Sequence, residues 1–294
     1  MIGTLSRDTK VIVQGITGRM GRTHAALMRG YGTNIVGGTS TRTDMKVAAG
    51  VPVFADCSAA VRATGAEAAV TMAPPTDALA AVREALDADI KLIVTVAEGI
   101  PLHDAIAIGR AVRAAGATWI GGSTPGMAIP GEIKLGFLPD VCLRPGPLAI
   151  MSKSGTLSYE AGYRLAREGL GQSLWIGVGG DPVKGVRFAD LLPVFFADAR
   201  TAGIVLVGEV GGTEEEDCAD AYAQLGAQKP LYALIAGREA KEGVSMGHAG
   251  ALVFGDIGTI GSKTQRLRDA GARVFDTVDG LIASCARDFS DLRT

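Results

Sequence analysis

One histidine of this chain stands in a setting that suits covalent chemistry. His248 is one of three histidines among the 294 residues, and it lies in the stretch 243–252, Gly-Val-Ser-Met-Gly-His-Ala-Gly-Ala-Leu. Small neighbours leave the imidazole unshielded and let a backbone or a bulky anion come close. An imidazole titrates near neutral pH and can act as a nucleophile. The pattern fits a covalent group carrier, although a hydrogen-bonded loop histidine beside glycines would give the same sequence.

The composition indicates a folded protein that acts on small molecules. Hydrophobic residues make up 47% and charged residues 20%, enough to form the cores of two domains. The 29 basic and 31 acidic residues nearly cancel, so neither a nucleic acid nor a membrane surface is an expected partner. The four cysteines form no CxxC pair, and no metal site or disulfide framework is predicted. No apolar run reaches the roughly 18 residues of a membrane span, and we expect a cytoplasmic protein.

A strand, a glycine turn and a helix open the chain. Residues 10–14, Lys-Val-Ile-Val-Gln, form a short β-branched run that leads into Gly-Ile-Thr-Gly-Arg-Met-Gly at 15–21. Such a turn presents backbone N–H groups and the positive end of a helix dipole to a phosphate. The pattern therefore predicts a nucleotide site, with contacts from Thr17, Gly18, Arg19, Met20 and Gly21.

The second strand, 34–38, bears on which nucleotide is bound. A nicotinamide-dinucleotide fold places an Asp or Glu at the end of this strand for the ribose hydroxyls. Here the chain continues Thr-Ser-Thr-Arg at 39–42, without a carboxylate. This disfavours an NAD-dependent oxidoreductase and leaves room for a phosphorylated ribose, as in NADP or coenzyme A. Arg42 is the candidate phosphate contact, and a solvated surface arginine is the alternative.

Strands alternate with amphipathic helices along the rest of the chain, which predicts an α/β protein with open, doubly wound parallel sheets. We expect a dinucleotide-type domain over 1–125, a Gly- and Pro-rich connection over 126–147 and a second α/β domain over 148–294. Ligands of such folds lie at the carboxyl ends of the strands. Glu98 and Glu209 both fall there, although Glu98 could equally be a solvated carboxylate.

The second domain begins with a strand that delivers a helix start. Residues 148–152 run into Ser154, Gly155 and Thr156, which predicts either a second anion site or an ordinary N-terminal cap. The acidic run 214–217 is interpreted as a negatively charged first helical turn.

Over nearly its full length the chain resembles the α subunits of succinyl-CoA synthetase and of relatives such as malate–CoA ligase. The matching stretches are 14–18, 90–101, 152–160, 177–182, 208–216 and 247–251. The resemblance implies a Rossmann-like CoA-binding domain followed by a flavodoxin-like domain with a phosphohistidine loop. It implies that His248 is phosphorylated, that Glu209 orients this histidine, and that the helix start at Ser154, Gly155 and Thr156 binds the phosphate. It also implies that Tyr159 lies in the acid substrate site. The residues that it implies as CoA contacts are Thr17, Gly18, Val96, Ala97 and Glu98.

The same resemblance implies a reaction and a partner. The phosphoryl group of ATP or GTP passes to His248 and then to a small carboxylic acid, and the CoA thiol attacks the acyl phosphate. The nucleotide and Mg²⁺ are expected on an ATP-grasp β subunit, in an αβ or (αβ)₂ assembly.

Two departures from the family pattern concern specificity. The family usually has Gly-Pro-Asn-Cys-Pro-Gly where this chain has Gly-Gly-Ser-Thr-Pro-Gly at 121–126. Ser123 and Thr124 thus replace an amide near the acid, which favours a hydroxylated or otherwise substituted dicarboxylic acid. The family's Pro-Gly-Lys-Gly-Gly loop is also absent, and Arg42 lies one position from the expected lysine. The altered loop at 121–126 supports one alternative, a CoA-binding or acyl-CoA-sensing protein that has lost the reaction.

Overall fold

The computed structural model describes residues 2–42, 44–237, 251 and 258–293. The chain forms two compact units. The first comprises Met1–Ala128, Glu132–Phe137 and Val183–Gly185, and the second comprises Ile129–Gly131, Leu138–Pro182 and Val186–Thr294. The three-part division at 126–147 stays a prediction.

A mostly parallel sheet with flanking helices builds the first unit. Its strands are β1 (Val11–Gln14), β2 (Ile35–Thr39), β3 (Val47–Ala48), β4 (Val51–Phe54), β5 (Ala68–Thr71), β6 (Leu92–Thr95) and β7 (Thr118–Ile120). Its helices are α1 (Arg19–Tyr31), α2 (Cys57–Thr64), α3 (Ala78–Asp87) and α4 (Leu102–Ala114). The strand order is β3-β4-β2-β1-β5-β6-β7, and only the short β3 runs antiparallel to its neighbour.

The central strands of this sheet explain the continuous apolar runs in the sequence. All residues of β1, β5 and β6 are buried, as expected where helices cover both faces of a parallel sheet. One face carries Ile12 and Ile93, which pack with Val82, Ile108 and Trp119 in a single hydrophobic cluster. This core fixes the ends of β1, β2 and β6, from which the ligand-binding loops leave.

Two short strands, β8 (Gly126–Ile129) and β9 (Ile133–Gly136), follow as hydrogen-bonded neighbours. The second unit then contains β10 (Pro145–Ser152), β11 (Gln172–Gly177), β12 (Gly203–Glu209), β13 (Leu231–Ala236) and β14 (Arg273–Phe275). Its helices are α5 (Gly155–Arg167), α6 (Phe188–Ala197), α7 (Glu214–Gln224), α8 (Ile260–Asp269) and α9 (Val278–Asp288).

These five strands are all parallel, in the order β14-β13-β12-β10-β11. The predicted α/β class with parallel, doubly wound sheets is confirmed. Among the helices of the described residues, none combines the length and the apolar character needed to cross a membrane.

Candidate functional site

The glycine turn of the first unit has the backbone geometry of a phosphate loop. Gly15 follows β1 with φ of 73°, in the left-handed region that favours glycine. A Cβ on Gly21 would lie 2.2 Å from the carbonyl oxygen of Gly15, so the first turn of α1 can pack against the loop only with glycine there. Gly18 precedes α1 without a side-chain cap, which leaves the first amides of the helix available to an anion.

A cavity of about 670 Å³ opens in front of this turn. Six of the predicted CoA contacts line it, namely Thr17, Gly18, Arg19, Met20, Gly21 and Arg42. The wall opposite is formed by Met72, Ala73 and Pro74 after β5 and by residues of α3. The structure therefore brings the glycine turn and the end of β2 into one ligand-sized site.

Ser40 links the two sides of this cavity. Its hydroxyl oxygen lies 2.5 Å from Oγ1 of Thr17 and accepts a 3.0 Å hydrogen bond from the amide of Arg42. The guanidinium of Arg42 is 60% exposed and lies 3.4 Å from the carboxylate of Asp44. This exposed ion pair is weak, so the guanidinium can turn to a bound phosphate at little cost.

Buried polar groups form the floor of the same cavity. The Gln14 side chain donates to the Ala81 carbonyl at 2.8 Å and accepts from the Thr71 hydroxyl at 2.6 Å. Glu84 accepts a 2.7 Å hydrogen bond from the amide of Cys57. Burial, and then the nearby Glu84 carboxylate, raise the pKa of the Cys57 thiol far above its usual value. Cys57 is therefore a neutral buried residue next to the cavity lining and not a nucleophile.

Val96, Ala97 and Glu98 follow β6 and are absent from the set of described residues that line the cavity. Instead, the Ala97 carbonyl accepts a 2.7 Å hydrogen bond from the amide of Ser123. The structure thus joins the predicted 96–98 contacts to the predicted acid-site loop at the carboxyl ends of β6 and β7.

The acid-site loop is tightly packed at its base. A Cβ on Gly121 would lie 2.2 Å from the Thr95 carbonyl oxygen, and the Trp119 indole donates to the Thr95 hydroxyl at 2.6 Å. Ser123 has φ of 56°, and the buried Thr124 accepts a 2.9 Å hydrogen bond from the Gly126 amide. Thr124 is therefore partly committed to holding the loop, and the half-buried Ser123 is the better-placed side chain for a ligand.

In the second unit, α5 begins directly after β10. Ser154 is its N-cap, and the Ser154 hydroxyl accepts a 3.3 Å hydrogen bond from the Leu157 amide. Gly155 and Thr156 form the first turn, and Thr156 is exposed. The capping role predicted as one alternative is thus present, and the other first-turn amides, which have no partner within a helix, could still meet an anion.

Glu209 ends β12 at the same edge of the sheet. Ser152 of β10 pairs with Val207 of β12 in parallel register, which places Glu209 beside the start of α5. Only 7% of Glu209 is exposed, and its amide donates a 3.1 Å hydrogen bond to Oε1 of Glu215. A carboxylate and a helix N-terminus therefore lie at neighbouring strand ends, as the sequence predicts.

A buried charge cluster lies behind these two groups. It consists of Lys153, Glu214, Glu215 and Lys263, each at most 5% exposed. Burial alone would raise the pKa of Glu215, but the ammonium groups of Lys153 and Lys263 hold it below its usual value. The acidic run 214–217 does form the first turn of α7, but its interpretation as a simple dipole-matching turn misses that two of its members point inward. Lys153 and Lys263 are missing from the predicted site, although Lys153 directly precedes the predicted helix start.

Tyr159 lies half-buried on α5, with its ring centroid 6.3 Å from that of Trp175. Burial, and to a lesser degree Cys142, raise the pKa of the Tyr159 phenol to about 12. Tyr159 is a neutral hydrogen-bonding group at physiological pH. His248 lies outside the described residues.

Comparisons with known proteins agree with this arrangement. Residues 6–99 match the family model of the CoA binding domain, and residues 151–273 match that of CoA-ligase. A similar protein is succinate–CoA ligase [ADP-forming] subunit alpha 1 of Archaeoglobus fulgidus, 42% identical over 96% of this chain and 97% of its own length. ADP-forming sulfoacetate–CoA ligase subunit SauD of Bilophila wadsworthia is 42% identical over 92% and 93%, respectively.

A solved structure of the same fold is ATP citrate lyase from Methanothrix soehngenii in complex with citrate and coenzyme A. It has a TM-score of 0.84 and 22% identity, and the alignment covers 98% of this chain. This chain spans about half the length of that protein, since the match covers 51% of it.

The fold, the phosphate loop and the two family matches define the class as CoA ligase. Within that class, the chain belongs to the family of succinate–CoA ligase α subunits.

Proposed function

We propose that this chain is the α subunit of a nucleotide-dependent acid–CoA ligase that works through a phosphohistidine and an acyl phosphate. The observation that carries the proposal is the position of Glu209 beside the N-terminus of α5, at adjacent ends of β12 and β10. A carboxylate that accepts one imidazole N–H leaves the other ring nitrogen free to attack phosphorus. The helix N-terminus supplies amides for the phosphate that results.

In the proposed sequence, a nitrogen of His248 attacks the γ-phosphorus of ATP or GTP and the bond to the leaving ADP or GDP breaks. An oxygen of the substrate carboxylate then attacks the phosphorus, the N–P bond breaks and an acyl phosphate forms. Attack of the CoA thiolate on the acyl carbon expels inorganic phosphate and gives the thioester, and the thiol proton passes to solvent. The balanced products are nucleoside diphosphate, phosphate and acyl-CoA.

Coenzyme A fits the first unit on structural grounds. The cavity of about 670 Å³ meets the uncapped start of α1, and Gly15 and Gly21 let the backbone approach closely. Thr17, Gly18 and the first amides of α1 would hold the pyrophosphate, and Arg42 would contact the third phosphate. Bound there, coenzyme A supplies the acyl-accepting thiol, and Val96, Ala97 and Glu98 would guide its reactive arm toward the Ser123 loop.

The acid is proposed to be a small dicarboxylic or sulfonated acid, with a hydroxylated or otherwise substituted acid favoured over succinate. Support comes from Ser123, whose short hydroxyl stands in the loop that bonds to Ala97. The named activities of the relatives include both succinate and sulfoacetate ligation, so the fold accommodates more than one acid. The partner is proposed to be an ATP-grasp β subunit that binds the nucleotide with Mg²⁺, in an αβ or (αβ)₂ assembly in the cytoplasm.

Radiolabelled ATP tests the proposal. The purified chain and its ATP-grasp partner are incubated with the label, and acid-labile, base-stable phosphate is measured on wild type, His248→Ala and a matched His103→Ala control. His103 lies exposed in the first turn of α4, in the first unit, and is not among the proposed site residues. Label on wild type and His103→Ala but not on His248→Ala is the expected result. CoA binding without label on any protein would leave the CoA-sensing alternative in place.

A further inference from the structure

The buried carboxylate of Glu215 connects the two parts of the proposed phosphoryl site, which are the end of β12 at Glu209 and the N-terminus of α5. Glu215 is fully buried, and its two oxygens lie 3.0 and 3.1 Å from Nζ of Lys153. Nζ of Lys263 contacts the same carboxylate. Both lysines are also almost fully buried, so Glu215 and its two partners, which belong to the buried charge cluster that also contains Glu214, are shielded from solvent.

The cluster ties together elements that are distant in the chain. Lys153 lies between β10 and the cap of α5, Glu215 lies in the first turn of α7, and Lys263 lies in α8. Oε1 of Glu215 also accepts the amide of Glu209 at 3.1 Å. The carboxylate therefore holds the end of β12 on one side and the start of α5 on the other.

Gly208 makes room for this arrangement. A Cβ at this position would lie 2.6 Å from Oε1 and 2.8 Å from Cγ of Glu215. A larger residue in β12 would force the Glu215 side chain away from the Glu209 amide. Gly208 therefore leaves the space that the Glu215 side chain occupies beside the end of β12.

The backbone beyond Glu209 is anchored in the same region. The Val210 amide donates to the Ala236 carbonyl at 3.1 Å, and the Gly211 amide donates to the Gly258 carbonyl at 2.8 Å. Three successive amides, those of residues 209–211, are thus held by α7, by β13 and by the residue two positions before α8. These bonds leave the backbone that carries the Glu209 side chain little freedom to shift.

We propose that Lys153, Glu215 and Lys263 are positioning residues that fix the distance between the Glu209 carboxylate and the N-terminus of α5 during phosphoryl transfer. This inference rests on the proposed function. Buried ion pairs contribute little net stability because desolvation offsets their attraction, whereas their fixed geometry can define one arrangement of the elements they join. A displacement of about 1 Å in a reacting group is enough to slow a reaction strongly.

The test is single-turnover phosphorylation of the full chain with its ATP-grasp partner, comparing wild type with Lys263→Met and Lys153→Met. The amplitude of the phosphorylation reaction reports the fraction of chains that are folded and able to react. Its rate constant reports the geometry of the site. We expect the rate constant to fall by about tenfold or more, as for other residues that orient a reacting group, with an amplitude near that of wild type. Glu215→Gln, which keeps the shape and removes the charge, is measured beside them, and the rate constant of the folded fraction carries the test for any variant that is destabilised.

Arg266→Met is the matched control. Arg266 also lies in α8 and pairs with Asp220 of α7 at 2.7 and 2.8 Å, but at the surface. Its removal breaks a contact between the same two helices without touching the cluster, and the rate constant should stay at the wild-type value. A lower amplitude with an unchanged rate constant in Lys263→Met would reduce the cluster to a stabilising role and overturn the proposal.

The experiment separates a failure of the positioning role from a failure of the proposed function. A labelled wild type together with wild-type rate constants in both lysine variants would overturn the positioning network alone. An unlabelled wild type would remove the proposed function, and this role with it.

Discussion

The amide of Ser123 donates a 2.7 Å hydrogen bond to the carbonyl of Ala97, which joins the loop after β7 to the loop after β6. One loop carries predicted CoA contacts and the other the predicted acid contacts. This bond couples the conformation of Ser123 to that of the loop at 96–98. The left-handed φ of 56° at Ser123 also limits which residues can replace it.

Ser123→Asn is expected to shift the acid preference toward succinate. Asparagine tolerates the left-handed region better than most residues and restores the amide that the family usually has at this position. One recovered hydrogen bond of about 1 kcal/mol corresponds to a gain of about fivefold in kcat/KM for succinate. Kinetics with succinate, malate and sulfoacetate measure the change, with Ser123→Ala as the control that removes the hydroxyl alone. Equal preferences in all three proteins would place acid selection elsewhere.

Gly21→Ala is expected to weaken CoA binding by about tenfold or more, a loss of about 1.4 kcal/mol or more in binding free energy. The added methyl group would lie 2.2 Å from the Gly15 carbonyl oxygen, so the turn must move. Gly30→Ala is the matched control, because Gly30 lies in the same helix with nothing within 4 Å of the added carbon. That change should stabilise α1 by about 1 kcal/mol and leave the affinity unchanged. Calorimetric titration with CoA compares the affinities of wild type, Gly21→Ala and Gly30→Ala.

Arg42→Ala is expected to weaken CoA binding and to reduce its salt dependence, because a phosphate contact is lost. The decisive comparison uses 3′-dephospho-CoA as a second ligand. If Arg42 contacts the 3′-phosphate, wild type and variant should bind the dephosphorylated ligand equally well. An unchanged affinity for intact CoA would identify Arg42 as a solvated surface residue, in keeping with its 60% exposure.

Glu209→Gln is expected to slow phosphorylation by about 10- to 100-fold, the usual effect of removing a group that orients an imidazole. The amide keeps the shape of the side chain but loses the charge that stabilises the imidazolium. Glu160→Gln, an exposed carboxylate on α5, is the control. CoA affinity, which depends on the first unit, should stay constant in both variants, and a wild-type phosphorylation rate in Glu209→Gln would argue against the orienting role.

Glu215→Gln is expected to destabilise the protein in a pH-dependent way. Although burial would raise the pKa of Glu215, the two lysines hold it below the ordinary 4.5. A carboxyl with a lowered pKa contributes stability that is complete above about pH 4.5 and is lost as the pH falls through the folded-state pKa. The variant should therefore be less stable than wild type by about 3–5 kcal/mol near neutral pH, where one partner of a buried pair is missing.

Thermal unfolding at several pH values checks this expectation. The gap between wild type and Glu215→Gln should narrow as the pH falls below about 4.5. Glu160→Gln, which removes an exposed carboxyl, should show only a small gap at every pH. A constant gap for Glu215→Gln would mean that the loss comes from packing and not from charge.

The sequence by itself determined the local elements and the order in which they occur. Buried parallel strands appear as short apolar runs, and the glycine spacing at 15–21 predicts a phosphate loop because only glycine fits the positive φ of Gly15 and the close approach at Gly21. The structure shows that this turn faces a cavity, which six of the predicted CoA contacts line. The position of Glu209 also follows from the sequence, since parallel strands place their carboxyl ends at one edge.

Only the tertiary structure decided which distant residues share a site. The resemblance predicts Val96, Ala97 and Glu98 as CoA contacts, and only the structure shows that the Ala97 carbonyl accepts a hydrogen bond from the Ser123 amide. Lys153 and Lys263 are separated from Glu215 by 62 and 48 residues, and no local pattern shows that they meet. The neighbouring residues in the sequence do not show whether a charged side chain is solvated or buried. Packing of α7 and α8 against the sheet removes the water and turns part of an acidic run into the centre of a buried ion cluster.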